Sequence, residues 1–182
     1  MSVFNVKSKV ISNRDASPPV LTNPEAALGV LKGAIGVEST GNFGSDLGAA
    51  STQVRLISLP SNAGLHSLEY ATGDHGTSTL DIAVWYPTVI PQGGANAPAS
   101  SLAGTLISSS AFAAGLAGVD TSRAWTDAMG TDATPSLTNR NKPLWQMLGL
   151  SVDPGVDLDL GFSIRVAVVQ NGYVGLRAQY VD

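Results

Sequence analysis

Two segments with alternating apolar and polar residues stand at the end of the sequence, and they constrain the fold more than any other feature. The first places apolar side chains on one face, namely Leu158, Leu160, Phe162, Ile164, Val166 and Val168. The opposite face carries Asp157, Asp159, Ser163 and Arg165. After Asn171 and Gly172 the alternation resumes at Val174, Leu176, Ala178 and Tyr180. A period of two is typical of a strand with one buried face, and Asn-Gly suits a tight turn. The sequence therefore predicts a closing antiparallel hairpin and a β-rich fold.

Further strands are predicted upstream, each bounded by turn residues. They cover residues 53–60, 65–71 and 79–86. This spacing indicates an antiparallel sandwich or barrel. Short helices are predicted over residues 108–117, where Phe112 and Leu116 share a face, over 121–129, with Trp125 inward, and over 142–150. In the last of these, Pro143 suits the first helical position and Gly149 the C-terminal cap.

Residues 1–50 differ from the rest of the chain. They combine Pro18, Pro19 and Pro24 with closely spaced glycines, a composition that disfavours helix and predicts extended or looping backbone. Residues 3–6 form a candidate short strand. We expect residues 1–50 to be an extended N-terminal arm with a glycine-rich loop, and residues 51–182 to be the β-sandwich domain. The alternative for the N-terminal region is a flexible tail.

The charge content is low for a chain of this size. Charged residues make up 13% of the 182 residues and hydrophobic residues 43%, with a net charge of −4. A surface with so little charge favours association, so either much of it lies against other subunits or it is an ordinary neutral surface. This net negative charge gives no indication of a basic face that would bind nucleic acid. No apolar run is long enough for a membrane span, and the N-terminal residues lack the apolar core of a signal peptide. These features predict synthesis in a cytoplasm.

Catalytic and metal-binding patterns are weak. His66, Asp74, His75 and Asp81 are the only cluster with metal-ligand chemistry, and a polar strand residue with a turn histidine explains it better. The chain has no cysteine, hence no disulfide framework. No Gly-x-Ser-x-Gly elbow or phosphate-binding loop occurs. The sequence predicts no catalytic residue, no cofactor and no metal, and thus no enzyme.

Other polar strand residues are more simply read as surface charges. Asp157 with Asp159, or Asp127 with Asp132, are candidate carboxylate pairs for glycoside hydrolysis, and solubility better accounts for the first pair. The arginines of the strands either meet acidic neighbours or are solvated; they are Arg55, Arg165 and Arg177.

Trp85 alternates against the apolar residues of its strand, so we expect its side chain to face away from the core. An outward tryptophan is either an interface anchor or is covered by the long uncharged loop of residues 88–107. Together with the N-terminal residues it completes the set of candidate subunit-interface positions, which are Phe4, Val6, Pro18, Pro19, Val20, Leu21 and Trp85.

Several of these pieces resemble one family, the small structural proteins of tailed-bacteriophage virions. The similar pieces are residues 4–10 (FNVKSKV) with 18–21 (PPVL), 54–63 (VRLISLPSNA), 81–86 (DIAVWY), 142–150 (KPLWQMLGL) with 153–155 (DPG), and 176–182 (LRAQYVD). They are spread over most of the chain, and residues 88–135 match least. None of them is a catalytic motif.

The resemblance implies a virion component of the capsid cement or decoration type, with a jelly-roll-like sandwich. It implies a homotrimer on the capsid surface that binds the major capsid protein and clamps neighbouring subunits, with no nucleic acid or membrane as partner. Such a protein is made in the host bacterial cytoplasm. Two alternatives stay open. One is a carbohydrate-binding module of the virion surface that uses Trp85, Trp125 or Tyr173, and the other is a head–tail or tail component.

Overall fold

The computed structural model describes residues 5–7, 27–31, 34–43, 52–73, 78–92, 94–117, 124–129, 142–166 and 172–181, the first three of these ranges as backbone. Ten strands dominate these residues. They are β1 (Asn5–Lys7), β2 (Ala27–Leu31), β3 (Ala34–Phe43), β4 (Gln53–Pro60), β5 (Gly64–Thr72), β6 (Thr79–Trp85), β7 (Leu106–Ala117), β8 (Thr126–Asp127), β9 (Asp157–Val166) and β10 (Gly172–Val181). One 3₁₀ turn (Ser100–Leu102) and one short helix, α1 (Leu144–Met147), complete the described elements.

The strands form two five-stranded sheets. Sheet A has the order β1-β4-β9-β6-β7 and sheet B the order β2-β3-β10-β5-β8. Neighbouring strands are antiparallel except β1, which runs parallel to β4. Apolar residues of both sheets belong to one buried cluster, for example Leu160 and Ile82 of sheet A with Leu68 and Leu176 of sheet B. The predicted all-β class is therefore confirmed as a two-sheet sandwich, and its description as jelly-roll-like stays a prediction.

The three strands predicted upstream of residue 88 are confirmed as β4, β5 and β6. The alternation predicted for the two terminal segments is confirmed as well. In β9 the inward residues are Leu158, Leu160, Phe162 and Ile164, and in β10 they are Val174, Leu176, Ala178 and Tyr180. Val166 is the exception at the end of β9, because 46% of its side chain is exposed.

The closing hairpin, in contrast, is not formed. β9 pairs with β4 and β6 in sheet A, whereas β10 pairs with β3 and β5 in sheet B. The two apolar faces thus lie opposite each other across the core and are not side by side in one sheet. Alternation specifies which side chains share a face, but both arrangements bury the same residues. Most of the predicted Asn-Gly turn lies outside the described residues.

Two predicted helices are wrong. Residues 108–117 belong to the twelve-residue strand β7, and the described part of residues 121–129 contains strand β8. The first segment consists mainly of serine, alanine and glycine, which have weak preferences for either structure. Backbone hydrogen bonding to the neighbouring strand β6 decides the outcome, with register shifts that fit the irregular segment to that strand.

The third predicted helix is confirmed as the single turn α1, followed by a tight stop. Pro143 is its N-cap, one position earlier than predicted. Gly149 has a φ of +71°, and its amide donates to Gln146 while the amide of Leu150 donates to Trp145. This pair of bonds is the Schellman arrangement, which glycine permits because it lacks a Cβ.

The predicted boundary at residue 50 does not separate the sandwich from the residues before it. β3 pairs with β10 from Phe43 opposite Gly172 to Ile35 opposite Tyr180, so it is a full member of sheet B. β2 pairs with β3 in turn, and β1 adds to the edge of sheet A. Every strand described before residue 50 is therefore part of one of the two sheets.

Candidate functional site

Part of the outer face of sheet A is buried, although outward strand residues in a two-layer sandwich normally meet solvent. Along β6 the outward residues Asp81, Ala83 and Trp85 are 5%, 0% and 0% exposed. On the neighbouring strand β9, Asp159 is 0% exposed. Another segment of the chain therefore covers these residues. Here sheet A lies between the hydrophobic core and that segment.

Part of this cover is the segment between β6 and β7, residues 86–105, which we call the covering loop. Its two ends are hydrogen bonded to each other: the Tyr86 amide donates to Thr105 at 2.9 Å, and the Gly104 amide donates to Pro87 at 2.9 Å. Near its end the hydroxyl of Thr105 donates at 2.7 Å to the carbonyl of Leu102, the last residue of the 3₁₀ turn. The loop consequently folds back to the point where it left the sheet.

Arg55 of β4 connects the covering loop to sheet A. Its guanidinium donates to the carbonyl of Gly104 at 2.7 Å and to that of Tyr86 at 3.3 Å. It also forms an ion pair with Asp159 of β9, with 3.4 Å between Nη1 and Oδ2, and both side chains are fully buried. The guanidinium carbon lies 5.3 Å from the centroid of the Trp85 ring. One buried cation thus contacts two strands, the loop and an aromatic ring.

The buried pair corrects the interpretation of Arg55 and Asp159 as solvated charges. Alternation correctly placed Asp159 opposite the core, but the covering loop removes it from water. Its second oxygen accepts a hydrogen bond from Ser58 at 3.2 Å. A buried ion pair is better tolerated when hydrogen bonds satisfy its other polar atoms, and the loop carbonyls accept from the two terminal nitrogens of Arg55. Asp157 at the start of β9 is exposed, as expected.

Trp85 faces away from the core as predicted, yet it is not an exposed anchor. Its relative exposure is 0% within the single chain, so it offers no surface to a partner in this fold. The other alternative, cover by the loop, agrees with the structure, because Arg55 lies over the ring and is itself bonded to Gly104. Strand alternation predicts the direction of a side chain, and cannot predict what covers it.

Of the remaining candidate interface residues, the structure describes only Val6. Val6 lies in β1, where it pairs with Val54 of the same chain. Five others lie outside the described residues: Phe4, Pro18, Pro19, Val20 and Leu21. Their role in contacts between subunits stays a prediction.

The other two strand arginines meet acidic neighbours. Arg165 donates to Asp81 at 3.1 Å, and Asp81 also accepts the amide of Gly115 at 2.7 Å. Arg177 pairs with Glu69 on the outer face of sheet B. These three arginines thus follow the alternative in which strand charges are paired.

Trp125 lies on the outer side of sheet B, and the prediction that it points inward is wrong. The guanidinium carbon of Arg177 lies 4.5 Å from the centroid of its ring. Arg177 is flanked in β10 by the buried Leu176 and Ala178, so its own side chain points away from the core. One face of the Trp125 ring is therefore occupied by an arginine, which leaves less of it for a sugar to stack upon.

Replacing Trp125 with alanine is expected to lower the free energy of unfolding by about 1–2 kcal/mol, from the lost aromatic contact with Arg177 and the lost apolar area. Urea denaturation followed by fluorescence or circular dichroism measures it. Trp125→Phe is the matched control and should retain most of the stability, because phenylalanine keeps an aromatic face. Equal losses in both variants would contradict a contribution from the ring.

The weak metal cluster of the sequence is not assembled in the part of the chain that the structure describes. His66 is exposed on β5, and Asp81 is engaged by Arg165 and Gly115. Asp74 and His75 lie outside the described residues. No group of three or more metal-ligating side chains occurs within those ranges. No helix described there is long and apolar enough to span a membrane.

Comparison with known proteins gives a likeness at the level of fold. No protein-family model matches the sequence. No curated protein matches it. A chain in the solved structure of the capsid of Ralstonia phage GP4 superposes with a TM-score of 0.52 at 17% identity, and the match covers 98% of both chains. A chain of the cyanophage Pam1 capsid asymmetric unit gives a TM-score of 0.37 at 14% identity, over 92% of this chain and 97% of that one. The chain thus shares the fold of the GP4 capsid chain over nearly its whole length.

Proposed function

We propose that this chain is a structural protein of a bacteriophage virion, of the capsid cement or decoration type. It binds the outside of the head as a homotrimer and stabilises contacts between major capsid protein subunits. The observation that carries the proposal is the shared fold with a phage capsid chain over 98% of both chains. The sequence pieces that resemble small virion structural proteins support the same role.

The architecture suits a protein that holds other subunits together. Sheet A is supported on both faces, by the core and by the covering loop, and the buried contacts of Arg55 hold those layers together. Such a unit transmits a load without changing shape, since close-packed interiors have low compressibility. Many copies arranged symmetrically then sum weak contacts into strong attachment.

In this proposal the N-terminal residues reach neighbouring subunits. β1 is joined to sheet A through only three residue pairs at its edge, so we expect it to detach at a smaller free-energy cost than the central strands. Residues 1–26 carry the candidate contacts Phe4, Pro18 and Leu21. An extended segment of this kind adds buried area at an interface without enlarging the core.

Cosedimentation with capsids tests the function. Purified protein is added to capsids that lack it, and to free major capsid protein as a comparison. Saturable binding to the assembled lattice with none to the free subunit is expected, together with a higher disruption temperature of the decorated capsids. An image reconstruction should place it on the capsid surface. Absence of binding, or a position at the head–tail junction or in the tail, would refute the cement role.

Deleting residues 2–24 is expected to weaken capsid binding by at least about 10-fold, because these residues supply the proposed contacts to neighbours. The circular dichroism spectrum should stay that of a folded sandwich. Leu21→Asp is the point-variant test, and Val152→Asp is its control at an exposed valine of the sandwich. Undiminished binding by both the deletion and Leu21→Asp would rule out the arm contact.

A further inference from the structure

One long run of the chain carries no charge. Residues 82–119 contain no Asp, Glu, Lys, Arg or His. At the chain average of 13% charged residues, a run of this length would hold about five. It comprises most of β6, the covering loop and all of β7. Charged side chains are depleted at the centres of protein interfaces, so this run has the composition of a surface that another protein covers.

The exposed residues of this run lie on the covering loop and along the adjoining strand. The larger ones are Val89, Leu102 and Leu106, which are 61%, 40% and 45% exposed. Smaller exposed residues of β7 continue the surface; they are Ser109, Ala114 and Ala117. We call these six residues the charge-free surface. Half of the large exposed hydrophobic residues found in the described ranges lie on it, and the others are Val152, Val166 and Val181.

β7 also leaves an edge of sheet A without protection by charge. It is the end strand of that sheet, and no strand described here pairs with its outer side. Exposed edges normally carry lysine, proline or other features that prevent pairing with a further chain. The twelve residues of β7 include neither charge nor proline, and only the register shifts of its pairing with β6 work against such contact. This edge is therefore suited to contact with another chain.

We infer that the charge-free surface is where a second copy of this chain docks. Each copy carries a net charge of −4, so two copies repel wherever their charged surfaces meet. Contact through the charge-free surface avoids that repulsion. A partner with a strong charge of its own would instead be matched by opposite charges. A second copy is the occupant that this neutral composition fits.

The covering loop is prepared for such contact by its internal bonds. Its ends are joined through Tyr86 with Thr105 and Gly104 with Pro87, and Arg55 binds it to the sheet. A loop already held in one conformation loses less entropy on binding than a flexible one. The inference concerns the self-association within the proposed function and does not depend on binding to capsids.

Sedimentation equilibrium of the purified full chain tests this surface. The wild-type chain should form an oligomer. Leu102→Asp combined with Leu106→Asp should raise its dissociation constant by at least about 100-fold. Val152→Asp combined with Val181→Asp is the matched control, since it makes the same chemical change at similarly exposed positions, and it should associate like wild type. A wild-type monomer at every concentration, or equal effects of the two double variants, would overturn the inference.

A second measurement does not depend on aspartate substitutions. The chain has no cysteine, so Ser109→Cys and Ser151→Cys each provide a single site for a spin label. Distances between labels on neighbouring copies should be shorter at position 109, in β7, than at position 151, outside the charge-free surface. The reverse order would contradict the inference. Capsid cosedimentation of the same variants separates the two proposals: a wild-type monomer that binds capsids refutes self-association alone, and an oligomer that does not bind refutes the capsid role alone.

Discussion

Replacing Arg55 with methionine is expected to lower the free energy of unfolding by about 3–5 kcal/mol, the range for removal of one partner from a buried ion pair. Methionine fills much of the same volume but has no charge and no hydrogen-bond donors. It leaves the Asp159 carboxylate buried without its cation and removes the donor to the Gly104 carbonyl. Chemical denaturation of the purified variant gives the change directly, and a lower midpoint with an unchanged slope is the expected form.

The covering loop should also become less well ordered in the Arg55→Met variant. Without Arg55 the covering loop loses the hydrogen bonds to Gly104 and Tyr86. Limited proteolysis should then cut within residues 86–105 at protease concentrations that leave the wild-type chain intact. Amide hydrogen exchange at Gly104 and Tyr86 should also become faster.

Two further variants make the cause of the loss clear. Arg177→Met removes an arginine whose ion pair with Glu69 is about one-third exposed on each side, 35% and 31%, and it should cost about 1 kcal/mol or less from that pair. Arg55→Met combined with Asp159→Leu removes both buried charges and should recover part of the stability. A loss for Arg55→Met no larger than that for Arg177→Met would show that the buried pair is not important for the fold.

Replacing Gly161 with alanine is the other substitution with a large expected effect, at least about 3 kcal/mol. Gly161 lies in β9 between Arg55 of β4 and Ala83 of β6. A Cβ at this position would lie 1.9 Å from the carbonyl oxygen of Val54 and 2.8 Å from the Cα of Arg55. Both are backbone atoms of the neighbouring strand, so no side-chain rotation relieves the overlap.

The close approach follows from the local geometry of β4. The pairing of β4 with β9 shifts register between Arg55 and Ile57, as at a β-bulge, where an extra residue bends the strand. Glycine fits opposite such a bend because it has no side chain to overlap the neighbouring backbone. Adding a single methyl group should therefore move β4 and with it Arg55.

Thermal and urea unfolding of Gly161→Ala measure the effect. Gly94→Ala is the matched control, because its Cβ would lie no closer than 3.6 Å to a neighbouring atom in an exposed part of the covering loop. That variant should change stability by no more than about 1 kcal/mol. A Gly161→Ala protein that unfolds at the wild-type midpoint would contradict the close approach.

Local geometry made several features predictable. Strand residues alternate because the backbone itself is pleated, so the inward faces of β9 and β10 could be recognised from the order of residues. Proline and glycine restrict or extend the allowed backbone angles, which located the ends of β4, β6 and α1. The outward direction of Trp85 follows from the same alternation.

The candidate site was only partly predictable. The absence of charge from residues 88–107 is visible in the sequence, and so is the possibility that this segment covers Trp85. The partnership of Arg55 with Asp159 spans 104 positions, and nothing local distinguishes these two charges from the exposed Asp157. Their burial depends on where the covering loop returns, which is a property of the folded chain.

The sequence by itself determined the all-β class, the positions of the central strands and the inward residues of each, because these depend on interactions between near neighbours along the chain. Only the tertiary structure decided that β9 and β10 lie in different sheets, that residues 108–117 extend as β7, and that part of the outer face of sheet A is covered. Those outcomes depend on pairings between residues far apart in the chain. For such pairings, alternation, serine-rich composition and isolated charges are each compatible with more than one arrangement.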